Sequence, residues 1–172
     1  MSKNKKMIKK LWWIIPTLLV VAFFYKVLST SKNIEGMQKI SNLGNEHIES
    51  LDALHKPYNS NPPTSGPHMG NIAPWGISTE IIPDELQVHN LEDGGVIIQY
   101  NPDKISKDDR DKLENIVRKN SGKNLISAPR YDMEYNIALT AWNKLLPLEN
   151  FDEKKINAFI DKFEGLDHHV RF

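Results

Sequence analysis

The chain of 172 residues contains no cysteine. This absence excludes structural disulfides, thiolate nucleophiles, iron–sulfur clusters, cysteine-based zinc sites and the usual attachment point of a lipoprotein. A domain built from this chain must therefore be held together by its apolar core. The phosphate-binding loop, the GxSxG motif and the dinucleotide fingerprint are also missing, so the corresponding enzyme classes have no support from motifs.

Acidic residues are absent from the first 30 positions, which carry six of the 22 lysines and arginines. The remaining 142 residues hold 16 basic and 22 acidic side chains, a net charge of −6. Nucleic-acid binding needs a positive surface, so we expect no nucleic-acid partner. The simplest interpretation of the acidity is solubility.

Long apolar runs are scarce, and the conspicuous one covers residues 11–28. Its first part, LWWIIPTLLVVAFFY, carries no charge. As a helix the run would measure about 27 Å, close to a hydrocarbon thickness of about 30 Å. Five lysines precede it, which predicts a cytoplasmic N-terminus and export of the residues after the run. We therefore predict a retained transmembrane anchor. A cleaved signal peptide is the alternative, but the residues just after the run make a poor cleavage site.

The chain then divides into four expected regions: a basic cytoplasmic tail (1–10), the anchor (11–28), a polar tether or short amphipathic helix (29–54) and an extracytoplasmic domain (55–172). This order predicts a single-pass protein of the cell membrane. A proline- and glycine-rich loop, residues 56–77, opens the domain, and its composition predicts no regular structure.

Regular elements are expected after this loop. The first is a helix that begins at a capping Asp84, runs through Asp93 and stops at Gly94. Three strands should form one small mixed sheet: Val96–Tyr100, Asn124–Ala128 and Asn136–Trp142.

Two further helices are predicted near residues 107–120 and 152–164, where Ser106 and Asp152 stand at the capping positions. Their apolar stripes should cover one face of the sheet and bury Ile116, Phe159 and Phe163. The predicted fold class is therefore α+β, with two helices on one face of a small mixed sheet.

The first predicted helix carries the strongest chemical grouping. His89, Glu92 and Asp93 are spaced i, i+3 and i+4, so they share one face. An imidazole beside two carboxylates suits a divalent cation or a general acid/base pair. A solvated polar face at a helix end is the alternative.

The loop supplies further candidate ligands. His68 and Met69 place an imidazole beside a thioether, ligands that soft Cu(I) uses, and His55 opens the loop. An exposed turn is the alternative. The adjacent His168 and His169 lie on a C-terminal tail and are expected to chelate poorly. We expect His68 and His89 to lie close together in space.

Six short strings stand in a distinctive order: PPTSGPH at 62–68, PWG at 74–76, IPDE at 82–85, VHNLEDGGV at 88–96, APR at 128–130 and ALTAW at 138–142. Together they resemble the bacterial domain of unknown function 3105 family, over residues 55 to about 165. The resemblance implies a short module, often anchored or secreted, without an established activity.

The resemblance also bears on the candidate ligands. His55, His68 and His89 match histidines that recur in that family. The family's string resembles HxLEHGGV, and this chain has Asp93 in place of the second histidine. The H-x-x-E-H pattern of the inverted zinc proteases is thus incomplete here, although Asp93 still offers oxygen to a metal.

Three functions are consistent with these residues. The first is a metal-binding module of the cell envelope, which holds a Cu or Zn ion through a set drawn from His55, His68, Met69, His89, Glu92 and Asp93. The second is a non-enzymatic module that docks an envelope protein through residues 62–68 and Trp75. The third is a metal-dependent hydrolase with Glu92 as general base. We rank binding above interaction and interaction above catalysis, and assign no catalytic residue.

Overall fold

The computed structural model describes residues 16–21 and 33–169. The chain separates into two compact units, Met1–Asn33 and Ile34–Phe172. In the first, residues 16–21 form helix α1. None of the helices in the described ranges is both long and apolar enough to cross a membrane. The predicted anchor covers residues 11–28, and its residues 11–15 and 22–28 lie outside the described residues.

The second unit is an α+β domain built on a six-stranded mixed sheet. Its strands are β1 (Gln38–Lys39), β4 (Gly76–Ile77), β5 (Val96–Tyr100), β6 (Leu125–Pro129), β7 (Ile137–Ala141) and β8 (Lys144–Leu148). Their order in the sheet is β1-β8-β7-β5-β6-β4. Strand β5 pairs in parallel with β6 and antiparallel with β7, so the three predicted strands lie side by side, as expected.

Within residues 34–169 of this unit there are three helices: α2 (Asp84–Glu92), α3 (Lys107–Lys119) and α4 (Glu153–Phe163). The two predicted caps of α3 and α4 are confirmed. Ser106 Oγ accepts from the Asp109 amide at 3.0 Å, and Asp152 Oδ1 accepts from the Lys155 amide at 3.0 Å. Each bond satisfies one of the amides that a helix N-terminus leaves unpaired.

Different helices cover the two faces of the sheet. On β5, Val96 and Ile98 belong to the core that α3 and α4 complete with their own apolar stripes. Ile97 points the other way, because successive strand residues alternate, and packs with Val88 and Leu91 of α2. The predicted pair of helices on one face is therefore observed, and α2 covers the opposite face.

The loop is more ordered than its composition predicts. It contains β4 and also His68–Met69 (β3), which pairs in parallel with His47–Ile48 (β2). All of residues 62–68 are buried. Each of these strands is only two residues long and pairs with a distant segment, so no local periodicity in the sequence predicts it.

Residues 33–54 also differ from the expected helix or tether. They form no helix; they supply β1 and β2 and pack Ile34 and Met37 against the core. Strand β8 was likewise not predicted, because Pro147 interrupts its pattern. Pro147 pairs with Ala138 of β7 and lies beyond the two residues of β8 that pair with β1, so its missing N–H interrupts no pairing with β1.

Asp84 is not a cap but the first residue of α2, preceded by Pro83 without a side-chain cap. Its carboxylate is engaged elsewhere: Arg130 Nη1 donates to it at 2.5 Å and Nη2 at 3.2 Å. The Nε of Arg130 also donates to Asn61 Oδ1 at 2.7 Å. This largely buried arginine therefore joins the start of the loop to the start of α2.

Candidate metal centre

Three imidazoles meet where the short β2–β3 pair contacts helix α2. The parallel register puts His47 opposite His68, and His89 approaches from α2. Their ring centroids are 4.9 Å apart for His47–His68, 5.3 Å for His47–His89 and 5.1 Å for His68–His89. The predicted proximity of His68 and His89 is therefore observed.

Glu92 completes the group, because one helical turn carries its carboxylate to the face of α2 that holds His89. Each of His47, His68, His89 and Glu92 offers one ligand atom, and these four atoms all lie within 4.8 Å of one another. We call these four residues the inner set. His68 and Glu92 are fully buried, whereas His47 is exposed.

The tautomer of His68 follows from its surroundings. Its Nδ1 lies 2.8 Å from the Gly66 carbonyl oxygen, which can only accept, so Nδ1 carries the proton. Burial lowers the pKa of His68 more than neighbouring groups raise it, which favours the neutral ring. Nε2 therefore presents a bare lone pair.

That lone pair faces a carboxylate. His68 Nε2 lies 3.0 Å from Glu92 Oε2, and both side chains are 0% exposed. The pair does not have hydrogen-bond geometry, and among the described residues neither atom has another hydrogen-bond partner. Two buried acceptors held together repel each other, and a cation that binds both would reverse the sign of that interaction.

Hydrogen bonds also orient the side chains of Glu92 and His89. Asn45 Nδ2 donates to Glu92 Oε1 at 2.6 Å, which fixes the carboxylate. The Nδ1 of His89 lies 2.8 Å from the Met69 carbonyl oxygen, so this nitrogen donates and Nε2 is left to ligate. Histidines that bind metals commonly donate their second ring nitrogen to a carbonyl or carboxylate in this way.

The sequence-predicted ligands fall into two groups. His68, His89, Glu92 and Asp93 are brought together, with Asp93 Oδ1 3.6 Å from His89 Nε2. The carbonyl group of Met69 accepts the hydrogen bond from His89 Nδ1. Its side chain follows that of His68 on an extended strand, where successive side chains point to opposite faces.

His55 lies in a different environment. Its Nε2 is 3.3 Å from Glu85 Oε1, its Nδ1 is 2.8 Å from the Lys56 carbonyl oxygen, and its ring lies against Tyr58. It takes part in neither cluster of potential metal ligands found in the described part of the chain.

Two histidines of the site were not predicted from the sequence. His47 lies in a polar stretch that was expected to be a tether, and only its pairing with His68 brings it to the cluster. His169 was expected to chelate poorly beside His168, yet its Nε2 lies 3.6 Å from Glu92 Oε2. His168 stacks on Trp142 instead, with ring centroids 6.0 Å apart.

The loop that carries His68 is fixed by hydrogen bonds outside the cluster. Tyr58 donates its hydroxyl to the Pro67 carbonyl at 2.6 Å, and Ser65 Oγ accepts from the Leu43 amide at 3.0 Å. Such bonds preorganise a site before any ligand arrives, which lowers the cost of binding.

Comparison with known proteins identifies a family but no function. The model of a family described as "Protein of unknown function (DUF3105)" matches residues 53–169. No curated protein and no solved structure matches the chain.

Proposed function

Because the chain belongs to the DUF3105 family of proteins of unknown function, we propose its function from its own residues: a membrane-anchored extracytoplasmic module that binds one transition-metal ion. The inner set, His47, His68, His89 and Glu92, is the proposed site.

One observation carries the proposal. His68 Nε2 and Glu92 Oε2 are completely buried, 3.0 Å apart and not hydrogen-bonded to each other. A fold that keeps two lone pairs in this position without compensation would lose free energy, since an unsatisfied buried polar group costs about 1–3 kcal/mol. A shared metal ion supplies that compensation.

The donor atoms indicate the class of metal. Three imidazole nitrogens and one carboxylate oxygen suit Zn²⁺ or Cu²⁺, which accept nitrogen and oxygen ligands. Cu⁺ prefers softer sulfur ligands, and the Met69 thioether is not part of the inner set. A tetrahedral ion with bonds of about 2.1 Å holds its ligands about 3.4 Å apart, which lies between the 3.0 Å of the His68–Glu92 pair and the 4.8 Å that bounds the inner set.

The two alternatives have less support. Residues 62–68 are buried, and Trp75 packs against the core of the α2 face, so this segment offers little surface to a protein partner. Glu92, the candidate general base of a hydrolase, is directed at His68 Nε2 and serves better as a ligand than as a base.

Adding Zn²⁺ or Cu²⁺ should raise the melting temperature of the full chain, purified without a histidine tag. A metal present at a hundredfold excess over Kd stabilises the folded state by about 2.7 kcal/mol. The rise should vanish in His68→Ala and His89→Ala and shrink below about pH 6, because protonated imidazole cannot ligate. Differential scanning fluorimetry measures the shift, and calorimetry should give a stoichiometry of one.

His55→Ala is the matched control, since His55 takes no part in the inner set. Its metal-induced shift should equal that of the wild type. An unchanged melting temperature of the wild type with both metals would sink the proposal, as would an undiminished shift in His68→Ala.

The membrane anchor is the second part of the proposal. The charge asymmetry and the apolar run at 11–28 support it. Leu18, Leu19, Val20 and Val21 are each more than half exposed on α1, an arrangement that suits contact with lipid better than contact with water.

Protease added to intact cells with an accessible outer face should digest the exported unit, Ile34–Phe172. Lysines concentrated before the anchor keep the N-terminus in the cytoplasm. Immunoblotting against the exported unit detects the digestion, with a cytoplasmic protein as the control for lysis. Complete protection would reverse the proposed orientation.

A further inference from the structure

A second group of potential ligands lies beside the inner set and faces solvent. His89, Asp93 and His169 each offer one ligand atom, all within 4.8 Å of one another. We call these three residues the outer set. The side chains of Asp93 and His169 are 31% and 41% exposed, whereas that of His89 is 11% exposed. Exposure therefore falls from the outer set towards the fully buried His68 and Glu92.

The C-terminal tail is placed so that His169 can ligate. Asp167 Oδ1 lies 2.8 Å from His169 Nδ1 and also accepts from the His169 amide at 2.9 Å. A carboxylate on Nδ1 directs the ligating lone pair of Nε2 towards the cluster, where Nε2 is 3.7 Å from Asp93 Oδ1.

The tail itself is held by the end of α2. The Gly165 amide donates to the Gly94 carbonyl at 2.8 Å, and the His168 amide donates to the Glu92 carbonyl at 2.9 Å. Gly94 has φ +80°, and a Cβ there would lie 2.8 Å from the Leu166 backbone. Only glycine lets the tail approach this closely.

His89 belongs to both sets but can serve only one ion at a time. Its Nδ1 donates to the Met69 carbonyl, so Nε2 alone is free to ligate, and a neutral imidazole nitrogen binds a single metal. The two sets therefore cannot be filled together through His89. Glu92 Oε2 lies between them, 3.0 Å from His68 Nε2 and 3.6 Å from His169 Nε2.

We propose that the outer set captures a divalent transition-metal ion from solution and passes it through His89 and Glu92 to the inner set. This inference rests on the proposed function of the inner set. It gives Asp93 and His169 a role in the rate at which the ion enters and leaves, and gives His68 and Glu92 a role in its final affinity.

Stopped-flow mixing of the metal-free full chain with Cu²⁺ tests the inference, because Trp142 lies 6.4 Å from His68 between ring centroids and Cu²⁺ quenches nearby tryptophan emission. In Asp93→Asn and His169→Gln we expect entry and release of the ion to slow at least tenfold, with Kd changed less than threefold. His55→Gln is the control and should match the wild type, and unchanged melting of the metal-free variants confirms that they fold.

Two results would overturn the inference while leaving the proposed function standing, whereas a stoichiometry of two, with both sets filled at once, would contradict both proposals. A Kd weakened tenfold or more in His169→Gln makes His169 a resident ligand. Wild-type rates in both variants mean that the ion enters past the exposed His47. Absence of Cu²⁺ binding by the wild type would remove the proposed function as well.

Discussion

Glu92→Gln should stabilise the metal-free protein by about 1 kcal/mol, the net value of one hydrogen bond, and abolish the thermal shift that metal produces. The two effects have one cause. The wild-type carboxylate presents Oε2 to the bare Nε2 of His68 at 3.0 Å. A glutamine amide would place a donor there, while its oxygen could still accept from Asn45 as Glu92 Oε1 does. The substitution should thus make a hydrogen bond and remove a proposed metal ligand.

A loss of stability in metal-free Glu92→Gln would indicate a different interaction between His68 and Glu92. If His68 were protonated and ion-paired with Glu92, removing the negative charge would strand a buried positive charge, and breaking such a pair costs about 3–5 kcal/mol. Chemical denaturation of the metal-free variant separates the two cases, and a large loss of stability would contradict the metal interpretation.

Glu85→Gln is the matched control for Glu92→Gln. Glu85 lies on the same helix and also faces a histidine, with Oε1 3.3 Å from His55 Nε2. That pair has hydrogen-bond geometry and lies outside the inner set. The same isosteric change there should leave the metal-induced shift intact.

Phe159→Ala should cost about 3–5 kcal/mol of unfolding free energy, the usual range for a buried phenylalanine. The side chain is 0% exposed and its ring centroid lies 4.7 Å from that of Phe163. Its removal would leave a cavity between α4 and the sheet. Urea denaturation at equilibrium measures the loss, and a cost below about 1 kcal/mol would show that α4 does not pack on the sheet in solution.

Tyr131→Ala provides the comparison for this core substitution, because Tyr131 is 51% exposed and surface changes usually stay within about 0.5 kcal/mol. Phe159 belongs to the core on the face opposite α2. Metal should therefore still raise the melting temperature of Phe159→Ala, from a lower starting value.

The sequence predicted those parts of the fold that are encoded locally. The caps Ser106 and Asp152, and apolar stripes such as the one containing Phe159, mark α3 and α4 because a helix repeats every few residues. Strand β5 is a run of five buried residues between Gly95 and Asn101. None of these predictions required knowledge of distant contacts.

The candidate site was predicted only in part, for the same physical reason. His89 and Glu92 share a helix face, so their spacing reveals them. His47 reaches His68 only through a two-residue parallel pairing, and His169 arrives on a tail that is held by backbone hydrogen bonds to α2. Contacts between distant segments leave no periodic mark in the sequence.

Strand β1 has a practical consequence for where a fragment of the second unit can begin. The family match begins at residue 53, but β1 (Gln38–Lys39) pairs with the outer side of β8, and Asn45 and His47 also precede that boundary. A fragment that begins at residue 53 would leave the edge of β8 without its partner strand, a known route to intermolecular strand pairing. It would also lose His47, a proposed ligand, and Asn45, whose amide donates to Glu92. The smallest fragment expected to keep the edge of β8 covered and to retain all four residues of the proposed inner set begins at Ile34, where the second compact unit begins.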